Sequence, residues 1–159
     1  MSALRTFTLE EARQLLPKVR QLIVDANDEL EKLSGKLEHT NKRFETAEAK
    51  LGSARTTSNE EDQLGALRAS RLEFQTAIEV LSQAQRDYLE RLDYWVDKIS
   101  ETGVILRDFR TGLLDFPAKQ GKFEYFICWK LSDPDVEYWH QTHDGFIGRR
   151  PMAVLSEYF

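Results

Sequence analysis

From Phe7 onward the apolar residues recur in alternating steps of four and three. The row runs Ala12, Leu16, Val19, Ile23, Ala26, Leu30, Leu33, Leu37, Thr40, Phe44, Ala47, Leu51, and only Thr40 interrupts its apolar character. A period of about 3.5 residues is that of a coiled-coil seam, and it predicts one long helix over 8–51. Thr8 and Glu11 have the spacing of a capping box at its start. Pro17 predicts a bend or an early end, and Gly52 a left-handed stop. Ser58 and Glu61 repeat the capping-box spacing. A second seam follows, Leu64, Leu67, Arg71, Phe74, Ile78, Leu81, Gln85, Tyr88, Leu92, Trp95, Ile99, which predicts a helix over 59–101. Within it Arg71 and Gln85 read as polar positions that fix register. Two seams of similar length joined by a short loop predict an antiparallel pair.

A second apolar stripe, Leu15 and Leu22 on the first helix with Leu89 and Val96 on the other, predicts a cover at the end where the chain enters and leaves. After Gly103 the heptad stops and aromatics concentrate. Val104 to Leu106 predicts a short strand, and Leu113 to Phe116 a second one ended by Pro117. Gln120-Gly121 marks a hairpin turn before the strongest strand, Phe123 to Leu131. There Phe123, Tyr125, Ile127 and Trp129 share one face, and Phe126 and Cys128 the other. Val136 to Gln141 suggests one or two helical turns. The fold class is therefore α+β: a long antiparallel helical hairpin, 1–102, with a small C-terminal antiparallel β-sheet module, 103–159, packed on its open end.

Composition narrows the picture. The 159 residues are 41% hydrophobic and 31% charged, which excludes wholesale disorder. With 22 basic against 27 acidic residues the net charge is −5, which disfavours nonspecific binding to nucleic acid or anionic membranes. No apolar run approaches the ~20 residues that span a bilayer. The lone cysteine, Cys128, suits a reducing cytoplasm, and Met1 to Glu10 has no signal-peptide core.

Ordered motifs carry a resemblance. Gly103, Arg107-Asp108, Gly112-Leu113-Leu114-Asp115-Phe116-Pro117, Cys128-Trp129, Tyr138-Trp139-His140, Gly145-Phe146, Gly148-Arg149 and Pro151 form one series, and the opening Phe7 to Ala12 with Leu15-Leu16-Pro17 fits it. Together they resemble a bacterial family catalogued as domain of unknown function number 2203. Within that resemblance Arg107 stands where Lys is commoner and Arg150 where Gln is commoner, and His143 is particular to this sequence. The resemblance implies no activity.

Candidate chemistry gathers in the C-terminal third. Glu137 and His140 at i, i+3 share a helix face, the spacing of carboxylate-bridged metal sites. Asp108 and Asp115, from neighbouring strands, could complete a mixed nitrogen–oxygen site for a divalent ion, iron, manganese or zinc. The same residues equally suit buried hydrogen bonds and turn caps. Arg107, Arg149 and Arg150 could receive an anion, or pair internally with Asp108, Asp115 or Asp144. Trp139, with Trp129, Tyr138 and Phe146, could line a ligand pocket or form the core of a small sheet. Cys128 reads as a buried, inert thiol. No nucleophile–base pair supports an enzyme, and no basic patch interleaved with aromatics supports nucleic-acid recognition.

Two functions from different classes remain open. The first is a non-catalytic assembly protein that forms a homo-oligomer, most simply a dimer, through the hairpin. The seams alone fall short of the entropy of ordering about ninety residues at roughly 1–2 kcal/mol each. The second is a protein that binds a metal or small ligand at the C-terminal polar cluster, with a metal-dependent enzyme, such as a hydrolase, as the catalytic form of that reading.

Overall fold

The computed structural model describes residues 4–56 and 60–159, the side chains of 60–62 excepted. Two long helices, α1 (Leu9–Ala54) and α2 (Glu60–Ser100), pack as a hairpin and are followed by a five-stranded antiparallel sheet. Among the described residues no helix is long and apolar enough to cross a membrane.

The start of α1 is set by its capping box. Glu11 N–H donates to the Thr8 hydroxyl and Thr8 N–H to the Glu11 carboxylate, both at 3.1 Å. The helix runs through Pro17, which lies exposed and does not end it. It also runs past Gly52 to Ala54, and Gly52 is not among the glycines with positive φ, so no left-handed stop forms there. The expected Ser58–Glu61 cap falls outside the described residues. Every position of the first seam is buried or partly buried. Thr40 fits because its hydroxyl donates to the Leu37 carbonyl at 2.9 Å.

The seam of α2 needs correction. Leu67, Phe74, Leu81, Tyr88, Leu92, Trp95 and Ile99 are buried or partly buried, but Leu64, Arg71, Ile78 and Gln85 are exposed. The inner places of the last three are taken one residue earlier by Ser70, Ala77 and Ala84. Steps of three and four are kept either way, so the row alone does not choose between them. Small residues at the seam let two helix backbones approach closely, and they leave Arg71 and Gln85 no role in register.

The chain divides into two compact units, residues 28–92 and residues 1–27 with 93–159. Within 28–92, the rings of Phe44 and Phe74 meet at 5.3 Å, and Arg91 Nε bonds both Glu29 oxygens at 2.9 and 3.0 Å. The other unit contains the sheet: β1 (Ile105–Asp108), β2 (Leu113–Gln120), β3 (Phe123–Trp129), β4 (Tyr138–Gln141) and β5 (Arg150–Pro151), in that spatial order. Gly121, with φ +61°, turns β2 into β3. A Cβ at Gly112, φ +68°, would lie 2.5 Å from Leu131.

Two expectations fail here. β2 does not stop at Pro117, because β1 pairs only with 113–115. Pro117 then faces an open edge where no N–H is required, and its carbonyl accepts the Phe7 N–H at 2.7 Å. Residues 138–141 are strand, not helix, since they pair with β3 from Tyr125 to Cys128.

One sheet face is apolar through its middle. Leu114, Phe116, Ile127, Trp129 and Trp139 have no exposed surface and share a core with Ala12, Leu16, Val19, Ile23 and Ile99 from the helices. Leu15 and Leu22 pack partly against this core, as the second stripe predicts. Leu89 and Val96 do not complete that stripe: they are 58% and 36% exposed.

The corrected seam is testable by urea unfolding. Ala77→Leu should cost about 1–3 kcal/mol through overpacking, whereas Gln85→Ala should stay within about 0.5 kcal/mol. Equal effects would restore the larger-residue seam.

Candidate functional site

Alternation along the strands puts the polar residues on the sheet face opposite the core. Asp115 on β2 lies directly across from Cys128 on β3, and Phe126, two residues back on β3, lies across from His140 on β4. A ligand atom from each of Asp115, Cys128 and His140 falls within 4.8 Å of the other two, and all three residues are buried. Arg107 joins them through a bulge. The β1–β2 register shifts between Leu106 and Asp108, and Arg107 Nε meets Asp115 Oδ2 at 2.9 Å.

His140 is fixed from both sides. Its Nδ1 lies 2.8 Å from the Gln141 carbonyl oxygen, which only accepts, so Nδ1 carries the proton. Nε2 then faces Asp115 Oδ1 at 2.9 Å. In a neutral ring that places a lone pair against a carboxylate oxygen. At this hydrogen-bond distance the geometry demands a proton between them. Burial opposes the charge on His140, but hydrogen bonds to Asp115, Cys128 and the Gln141 carbonyl, with the Asp115 charge, outweigh it and raise the pKa to about 10.

The remaining candidates disperse. Arg149 binds Asp133 bidentately, 2.9 Å at each nitrogen, rather than Asp108, Asp115 or Asp144. Its guanidinium lies 3.8 Å from the Tyr138 ring centroid and 4.8 Å from that of Phe146, with Nη1 4.0 Å from Cys128 Sγ. Asp108 caps a turn: the hydroxyl and N–H of Thr111 hold its carboxyl below the usual range. Glu137 is exposed just before β4 and outside the triad, because the helix that would have aligned it with His140 is a strand. Trp139 points into the core, its indole N–H donating to the Pro151 carbonyl. Arg150 donates to the Tyr158 hydroxyl. His143 lies exposed, 3.7 Å from Asp144. Sequence reasoning finds the burial of Cys128 but takes it as inert, and it passes over Asp133. The cross-strand position of Cys128 is implicit in two alternating strands and their turn, but the partner of Arg149 has no sequence signal.

Above the triad opens a pocket of about 370 Å³, lined by Arg107, Leu113, Thr142, Asp144, Gly145 and Phe146 as well as the triad itself.

The His140–Asp115 pair makes a pH prediction. Because the folded pKa is raised above the unfolded value, its stabilisation is complete below about pH 6.5 and is lost as pH rises through about 10. In metal-free protein, denaturant titrations should show stability falling across that window, and falling less in Asp115→Asn. A flat profile in the parent chain would remove the imidazolium.

No curated protein and no solved structure matches this chain. A family profile described as "Uncharacterized conserved protein (DUF2203)" matches residues 5–152, and the chain belongs to that family.

Proposed function

We propose that this protein binds a divalent metal ion of the zinc class through Asp115, Cys128 and His140. One observation supports this above others: the Nδ1 bond to a backbone carbonyl turns Nε2 toward a buried carboxylate, beside a buried sulfur, so that loss of the Nε2 proton leaves three ligand atoms within 4.8 Å of one another. Metal-binding histidines are commonly oriented by such a second bond. Sulfur, imidazole and carboxylate together favour zinc or iron over manganese. A reducing compartment such as the cytoplasm keeps Cys128 available as a ligand. Nucleophilic catalysis fits less well, since Cys128 is only 1% exposed and His140 Nε2 is directed at Asp115. Protein expressed with added zinc should carry about one ion per chain by elemental analysis. His140→Ala and Cys128→Ser should each remove it while leaving the helical circular dichroism nearly unchanged. Parent protein free of metal under these conditions would contradict the assignment.

A second role rests on a separate observation. On α2, Leu64, Ile78 and Leu89 are 52%, 40% and 58% exposed along one flank of the 28–92 unit. Covering such a flank with a second copy makes the chain a homodimeric assembly element. Sedimentation equilibrium at micromolar concentration should give about twice the 18.5 kDa chain mass, and Ile78→Asp should return it to one. A monomeric parent chain would exclude this role.

A further inference from the structure

The pocket beside the triad has a chemical bias of its own. Arg107 spends only Nε on Asp115, and its two terminal nitrogens bond no described residue. The side chain is 44% exposed and lines the pocket, its guanidinium lying 5.3 Å from the Phe126 ring centroid. An arginine held by one nitrogen with a free outward edge is oriented to receive a planar anion bidentately. The walls beside it are apolar at Leu113 and Phe146 and carry a hydroxyl at Thr142. About 370 Å³ holds a molecule of a few carbon atoms, not a polymer.

Charge is placed, not merely summed. A divalent ion on a carboxylate and a deprotonated sulfur is locally neutral, so the positive group offered to a ligand is Arg107, while Asp144 in the same lining carries the negative one. Asp144 lies 3.7 Å from the exposed His143, which is charged only when protonated. We propose that this pocket binds a small monocarboxylic acid, its carboxylate gripped by the free edge of Arg107 and directed at the ion held by the triad. This rests on the metal assignment above, and it adds a ligand class.

Cobalt substitution separates the two claims, because a cobalt–thiolate chromophore reports both the ion and its surroundings. The protein is loaded with cobalt and titrated with propionate, with alanine as an acid that also carries an amine, and with propionamide as the uncharged analogue. A saturable spectral change with propionate or alanine, at least about tenfold weaker with propionamide, is the expected result. Arg107→Gln should keep cobalt and weaken the acid by at least about tenfold. If that variant loses cobalt because Asp115 shifts, the comparison of acid with amide in the parent protein decides. Cobalt bound but unresponsive to either acid, or equally responsive to the amide, overturns the ligand and leaves the metal site standing. Failure to take up cobalt at all overturns both.

Discussion

Neighbouring side chains on a strand cannot share a face, and the C-terminal sheet depends on that constraint. Leu114 and Phe116 on β2, Ile127 and Trp129 on β3 and Trp139 on β4 must be buried together to make a core with the helix residues. Once they are, Asp115, Cys128 and His140 are carried to the opposite face in one act. A one-residue slip of either strand pair would put a carboxylate or an imidazole into the apolar core. The aromatic core thus fixes the register, and the register assembles the triad.

The second consequence is electrostatic. A buried carboxylate is costly unless its oxygens are occupied. Asp115 meets this need with Arg107 on one oxygen and His140 on the other. Cys128 sits against the same group, with Arg149 Nη1 4.0 Å away. Arg149 is itself neutralised by Asp133, so the two ion pairs remain distinct although they flank one sulfur. A proton fits between Nε2 and Oδ1 at this spacing, and the proposed metal binding would have to displace it, which couples metal uptake to pH.

Much of this fold is legible in the sequence because its signals are periodic. The heptad of α1, the Thr8–Glu11 cap and the alternating faces of β3 all read correctly, since each depends on spacing within one element. The α2 seam misleads where Ala77 competes with Ile78 and Ala84 with Gln85, because side-chain size is a poor guide when helices approach closely. The strand at 138–141 escapes because four residues carry too little pattern to outweigh a plausible i, i+3 pair. For the site, Asp115 and His140 are legible, whereas Asp108 and Glu137 go elsewhere. Cys128 is hidden because its partners lie 13 residues before and 12 after it in the chain. Cross-strand neighbours of that kind follow from register, not from local spacing.

The occupant of the gap between His140 and Asp115 is the central question, and X-ray absorption at the zinc edge addresses it most directly. A first shell with one sulfur at about 2.3 Å and nitrogen and oxygen scatterers at about 2.0–2.2 Å is the predicted result, with the sulfur lost in Cys128→Ser. A shell of nitrogen and oxygen alone, unchanged by that substitution, would contradict it: zinc would then lie outside the triad.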